Sequence, residues 1–199
     1  MKPVSSAQIR QALPSDGDAC AAIYKPFVEH TSVTFEYTPP DGTEFSRRIQ
    51  SLEGRFPWLL WEEEGTILGY VYAAPHHERA AFQWDAEVSA YFSPEAQGKG
   101  MGTALYKLLF ALLREMGYVR LYALITVPNP KSERFHRSMG FSPVCVYPRT
   151  GFKLGEWHDM IVMEKALRPL PPAPSPPGPY TPDLLKRLLE PDKAPLLTL

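Results

Sequence analysis

The sequence is poor in cysteine: Cys20 and Cys145 are the only two thiols among 199 residues. Two thiols cannot build a disulfide framework or a four-thiolate zinc site, and a reducing, cytoplasmic setting is the expectation. An excess of one charge sign is also lacking. Lys and Arg total 21 against 22 Asp and Glu, a formal net charge of −1. Such a chain has no cationic surplus to neutralise a nucleic-acid backbone. No apolar run approaches the roughly 20 residues that cross a bilayer. The opening MKPVSSAQIRQALPSD lacks the apolar stretch of a secretory signal, so neither export nor a membrane partner is expected. Internal repeats are missing too. What remains is 44% hydrophobic residues in a chain long enough to bury a core, as in ordinary globular proteins.

Proline is abundant, at 22 residues, and 10 of these fall in the 32 residues from Arg168 onward. Proline fixes φ and removes a donor, so residues 168–182 read as an extended, polyproline-like linker. Residues 183–190, DLLKRLLE, then place four leucines at helical spacing, a short amphipathic helix that needs a surface to cover. A tail wrapped on its own domain or on a dimer mate is the expected arrangement. The chain divides into a domain over residues 1–167 and a Pro-rich extension over 168–199.

Within the domain, strand-like and helix-like periods alternate. Strands are expected at residues 8–12, 58–63, 67–74, 82–92, 119–127, 144–147 and 160–164. Helices are expected from caps at Ser15 and Asp16 to about residue 29, then at 41–53, 102–116 and 130–139. Glu64–Gly65 reads as the turn of a hairpin. Residues 31–37 are β-branched and aromatic, but Pro39 and Pro40 end them. The fold class is a mixed α/β sandwich.

The most informative segment runs from Ala86 to Leu109. A strand ends at Phe92, Ser93–Pro94 breaks it, and Gln97-Gly98-Lys99-Gly100-Met101-Gly102 opens the most regular helix in the chain. Glycines let a backbone approach an anion, and the free N–H groups of a helix start make an anion site. A phosphate-binding loop of the form G-x-x-x-x-G-K-[ST] is not present. The dinucleotide fingerprint fails as well, because the glycines fall as G-x-G-x-G and no acid stands about 20 residues on.

The turn resembles that of the GNAT acyltransferase superfamily, whose pattern [QR]-x-x-G-x-[GA] is met by Gln97, Gly100 and Gly102. The second half of that pattern follows in order. Asn129 stands at the exit of the next strand, and seven residues on, before Gly140–Phe141, His136 occupies the place where many members have Tyr. A longer similarity covers about residues 8–167. The blocks Arg55-Phe56-Pro57-Trp58-Leu59, Arg79-Ala80-Ala81-Phe82-Gln83-Trp84, Ala86-Glu87 and the run from Gly151 to Asp159 resemble phosphinothricin N-acetyltransferases, a group that also acetylates methionine sulfone and sulfoximine. The resemblance implies a mostly antiparallel central sheet, splayed between strands 4 and 5 and flanked by helices. It implies acetyl-CoA as cosubstrate, no metal, a small amino-acid-like amine as acceptor, and a homodimer.

Acetyl transfer from a thioester needs a neutral amine, a polarised carbonyl and a protonated leaving thiol. An α-amino group with pKa about 7.7–8.0 is mostly cationic at neutral pH, so a base must take its proton. Glu87 shares one strand face with Asp85, Ser89 and Tyr91. From the residues alone a base and a solvated carboxylate stand equal there; the resemblance points to the base. His136 reads either as the proton donor to the thiolate or as a packed helix histidine. The resemblance further implies that Tyr91 and Phe92 offer backbone partners to the thioester and the pantetheine arm. It assigns the pyrophosphate to Gln97, Gly98, Lys99, Gly100, Met101, Gly102 and Thr103, with Asn129 and Ser132 beside the arm. Neither cysteine stands near a recognisable base, so direct transfer in a ternary complex is expected.

For the acceptor, the resemblance points to Phe35, Glu36, Arg79 and Phe82, in a pocket that Phe35 and Trp84 help to enclose. A guanidinium at Arg79 suits a carboxylate. Two departures bear on acceptor choice: Phe82 stands where the herbicide-modifying members have Tyr, and Pro148 where they have Arg, with Arg149 adjacent. His76, His77 and His158 form no metal-ligand constellation. Two other readings remain open at this level: acetylation of a peptide or protein N-terminus, and a non-catalytic acetyl-CoA-binding module.

Overall fold

The computed structural model describes residues 7–96 and 98–190. Seven strands form one sheet: β1 (Ala7–Gln11), β2 (Trp58–Glu63), β3 (Thr66–Pro75), β4 (Asp85–Phe92), β5 (Arg120–Val127), β6 (Ser142–Lys153) and β7 (Glu156–Ala166). Their order is β1-β2-β3-β4-β5-β7-β6, antiparallel at every pairing except the parallel β4–β5. The helices are α1 (Gly17–His30), α2 (Gly42–Leu52), α3 (Met101–Met116), α4 (Pro130–Ser138) and α5 (Pro182–Leu189).

Alternation along the central strands divides the core into two layers. Leu59, Val71, Ala73, Ala86 and Val88 face α3, which contributes Leu105, Leu108, Leu109, Leu112 and Leu113. Trp58, Leu60 and Tyr70 face α1 and α2, meeting Cys20, Ile23, Tyr24, Phe45 and Ile49. Both helix layers are therefore fixed by a period-two strand pattern meeting a period-3.6 helix pattern.

Three sequence expectations change. The strand expected from residue 82 begins at Asp85, because Ala80–Phe82 makes a single 3₁₀ turn. The short strand expected at 144–147 is a twelve-residue edge strand. Pro143 and Pro148 both fall where the β6–β7 register shifts, at 143/145 and 147/151, where a missing N–H is tolerated. Asp16 precedes α1 but does not cap it with its side chain. Its carboxylate accepts from Arg10 at 2.7 and 2.8 Å and from the Leu13 N–H.

Residues 168–190 cross the open end of α3. The N–H of Gly178 donates to Met116 O (2.7 Å), that of Tyr180 to Gly54 O (3.1 Å), and the Trp84 indole to Ser175 O (2.8 Å). Thr181 caps α5, and Tyr180, Leu185 and Leu188 are buried in the α3-side core.

Candidate active site

β4 and β5 pair only over Asp85–Glu87 with Arg120–Tyr122. Beyond Glu87 the strands diverge, so the edge of Val88–Phe92 toward β5 has no strand partner and a cleft opens. The cleft holds about 480 Å³ and runs between Val88–Phe92 on one wall and Ala123–Thr126 on the other. The glycine turn and α4 lie at its sides.

Gly98 and Gly100 have φ of 76° and 75°, a left-handed backbone that a side chain would strain. The first α-helical bond of α3 runs from Ala104 N–H to Gly100 O (3.1 Å), so the N–H groups of Met101, Gly102 and Thr103 have no acceptor within the helix. Met101, Gly102 and Thr103 all line the cleft, at the positive end of a sixteen-residue helix. A pyrophosphate fits this end, and the apolar walls at Val88, Ala90, Phe92 and Ile125 fit a pantetheine arm. Lys99 is exposed and lies 3.6 Å from Glu63. Gln97 lies outside the described residues.

α4 supplies the opposite side. Asn129 caps it, Oδ1 accepting from the Ser132 N–H at 3.1 Å, which leaves the amide NH₂ for the cleft. Pro130 sits at the first helical position, preset for the helix. His136 is buried, one turn further on. Its Nδ1 donates to Ser132 O at 2.9 Å, which places its Nε2, 3.1 Å from the Tyr106 hydroxyl, as the acceptor. Burial lowers its pKa, partly offset by the Ser132 carbonyl. Tyr106, from α3, lines the same cleft, and burial pushes its hydroxyl pKa up. Sequence reading missed Tyr106 because the apolar stripe of α3 drew attention; its spacing of four from Gly102 is the signal that places it on the cleft side.

Glu87 is the last β4 residue paired with β5, opposite Tyr122 and next to Val88, where the cleft wall begins; its side chain is half-buried. Burial raises its pKa. Its Oε2 is 4.0 Å from His76 Nδ1, and the His76 ring stacks on Tyr122 with centroids 4.0 Å apart. Phe82 is 39% exposed and packs against His77 at 4.5 Å, while Arg79 is exposed on the same β3–β4 loop.

Phe35 and Glu36 lie elsewhere, on the α1–α2 loop. Glu36 accepts from Arg48 at 2.8 and 3.1 Å and from the Tyr24 hydroxyl. The Phe35 ring lies on Gly151, where a Cβ would come within 2.3 Å of it. Lys153 Nζ donates to Thr34 O (2.7 Å) and the Tyr37 hydroxyl to Phe152 O. Residues 31–37 are thus strapped to the β6–β7 hairpin rather than paired in the sheet. Trp84 donates to Ser175 O in the C-terminal extension, and Arg79 and Phe82 are exposed on the β3–β4 loop.

A protein-family model, that of the acetyltransferase (GNAT) domain, matches residues 9–162. The chain belongs to the GNAT acetyltransferases. Phosphinothricin N-acetyltransferase of Streptomyces viridochromogenes is 32% identical over 168 residues, 84% of this chain and 92% of the relative. The L-methionine sulfoximine/L-methionine sulfone acetyltransferase of Salmonella typhimurium is 32% identical over 163 residues, 80% of this chain and 93% of that one. Among solved structures, a GNAT superfamily phosphinothricin acetyltransferase from Sinorhizobium meliloti in complex with AcCoA superposes with a TM-score of 0.77 at 34% identity. That match covers 81% of this chain and 88% of the other. In this GNAT enzyme His136 and Tyr106 face each other in the β4–β5 cleft.

Proposed function

We propose that the protein is an acetyl-CoA-dependent N-acetyltransferase acting on the amine of a small amino acid or analogue, of the phosphinothricin, methionine sulfone or sulfoximine type. The observation that carries this reading is the meeting of two features: a half-buried carboxylate, Glu87, on β4 next to the first wall residue of a cleft whose mouth is a helix N-terminus with left-handed glycines. The names of the relatives supply the acceptor class.

Bound acetyl-CoA supplies the activated acetyl thioester. The backbone of Gly98 to Thr103 holds its pyrophosphate, Asn129 and Ser132 hold the arm, and the free edge at Tyr91 and Phe92 orients the carbonyl. Glu87 accepts a proton from the acceptor ammonium, exposing the lone pair for attack. Nε2 of His136, an acceptor beside the Tyr106 hydroxyl, takes the second amine proton as the amide forms and gives it to the departing sulfur, so the ring ends neutral as it began. The amine attacks directly. Cys20 is buried with its thiol pushed up to about 12, far from nucleophilic at neutral pH. We assign the acceptor to Arg79 and Phe82 on the β3–β4 loop, and to Phe35 and Glu36 brought in by the α1–α2 loop.

The reading also includes a homodimer. The β6–β7 hairpin presents Val144, Val146, Tyr147, Phe152, Leu154 and Trp157 as exposed apolar side chains, the first four on the long edge strand β6. Monomers rarely leave such an edge open. Val146→Glu with Trp157→Glu is expected to give a species of half the wild-type mass by sedimentation; a wild type that already runs as a 22.4 kDa particle contradicts the dimer.

The activity is tested by thiol release from acetyl-CoA across a panel of amines: phosphinothricin, methionine sulfone, methionine sulfoximine, the common amino acids, a polyamine and a short peptide. Selective turnover of an amino-acid analogue is the expected result. Selective turnover of the peptide would contradict the acceptor class, and silence across the panel with acetyl-CoA bound would favour a non-catalytic module.

A further inference from the structure

A base that takes a proton in every catalytic cycle must also lose one. When the acceptor enters as an ammonium and the products are an amide and a free thiol, one proton per turnover is left over. It has to leave the site. Glu87 keeps 34% side-chain exposure with the cleft empty, but that open side is the one from which the acceptor ammonium must reach it, so during turnover the released proton needs a second way out.

The group facing it is His76, just after β3. Nδ1 of His76 is buried, makes no hydrogen bond among the described residues, and lies 4.0 Å from Glu87 Oε2. Buried polar atoms are nearly always hydrogen-bonded, so this nitrogen calls for an explanation. The ring is held in place from both sides, stacked on Tyr122 at 4.0 Å and packed on His77 at 4.3 Å. Its side chain keeps 15% exposure.

We propose that His76 is the proton exit of the base: Nδ1 takes the proton that Glu87 has accepted from the acceptor ammonium and hands it to solvent. The inference rests on the acetyltransferase reading above. The balance is simple. The O–H bond on Glu87 breaks, an N–H bond forms at Nδ1, and the carboxylate is restored for the next ammonium. The imidazolium then loses a proton to water, and exchange with solvent resets the ring. The gap of 4.0 Å is spanned by one side-chain rotation or one bridging water. Burial and His77 both hold the His76 pKa down, so the ring is neutral and receptive near pH 7. The remaining ionisable groups on the elements around it are Asp85 on β4, Tyr122 and Arg120 on β5, and Glu164 on β7. Arg120 and Glu164 are paired at 2.7 Å. His76 acts through Glu87 and is a positioning residue for the proton.

Two variants test this. His76→Phe keeps an aromatic ring on Tyr122 without a nitrogen, and His76→Ala leaves room for free imidazole. With the best acceptor near pH 7, His76→Phe is expected to lose about tenfold or more in kcat while the KM for acetyl-CoA stays within about twofold. Added imidazole is expected to raise kcat of His76→Ala toward wild type. Wild-type kcat in His76→Phe across the pH profile, or no response of His76→Ala to imidazole, overturns the proposal. A wild type inactive on every amine would instead overturn the acetyltransferase reading, so the two failures are distinct.

Discussion

Glu87→Gln is expected to lower kcat for amine acetylation by about 10²- to 10³-fold near pH 7, with the dissociation constant for acetyl-CoA unchanged. The isosteric amide keeps the shape of the strand end, yet cannot take a proton from an ammonium. Binding should survive because the walls of the cleft begin at Val88, beyond Glu87. The pH profile gives the same claim a sign. Glu87 works only when ionised, and burial raises its pKa above the ordinary carboxylate value of about 4.3. As pH falls through that raised value the carboxylate is protonated and kcat/KM drops, so the acidic limb lies above the ordinary carboxylate range. The Gln variant should lack this limb and keep only the rise from acceptor deprotonation. Steady-state kinetics from about pH 5 to 9 check both points. An unaltered kcat, or the same acidic limb in the variant, contradicts the role of Glu87.

Ending the chain at Leu167 is expected to cost roughly 4–6 kcal/mol of stability and to lower Tm by about 10 °C or more. Truncation strips Tyr180, Leu185 and Leu188 from the core, with relative exposures of 3%, 6% and 3%. Burying one such side chain stabilises by about 1.5–3 kcal/mol, and the area term is an upper bound. The truncation also frees the Met116 and Gly54 carbonyls that accept from Gly178 and Tyr180. Leu188→Ala alone should cost about 2–4 kcal/mol. The effect should fall on stability and spare the chemistry. The extension docks at the C-terminal end of α3, roughly 24 Å along the helix from the glycine turn at 1.5 Å per residue. Calorimetry with acetyl-CoA binding on the same samples tests this; a Tm within about 2 °C of wild type contradicts the structural role.

Where the sequence was legible, one physical signal dominated. The leucine stripe of α3, the glycines before it and the proline after Asn129 each have one local solution, and the structure adopts it. The order of elements followed from the same periodicities. Legibility failed where tertiary context overrides local preference. Pro143 and Pro148 end a strand by propensity, but an edge strand with register shifts accommodates both. Residues 31–37 have strand composition, yet their backbone is captured by Lys153, and the Phe35 ring lies on Gly151. The hydrogen bond from the Trp84 indole to Ser175 O joins residues 91 positions apart, which no local pattern announces. His76 reads from the sequence only as a candidate metal ligand, because its distance to Glu87 depends on the β3–β4 register, in which Ala74 faces Glu87.

The central claim is that acetyl passes directly from acetyl-CoA to a small amino-acid-type amine in the β4–β5 cleft. The most direct test is one mass-spectrometric measurement on protein mixed with acetyl-CoA and methionine sulfone, following both the small molecules and the intact chain. The account predicts N-acetyl methionine sulfone and an unmodified protein. Acetyl retained on the protein, or no acetylated amine while acetyl-CoA is bound, would contradict it.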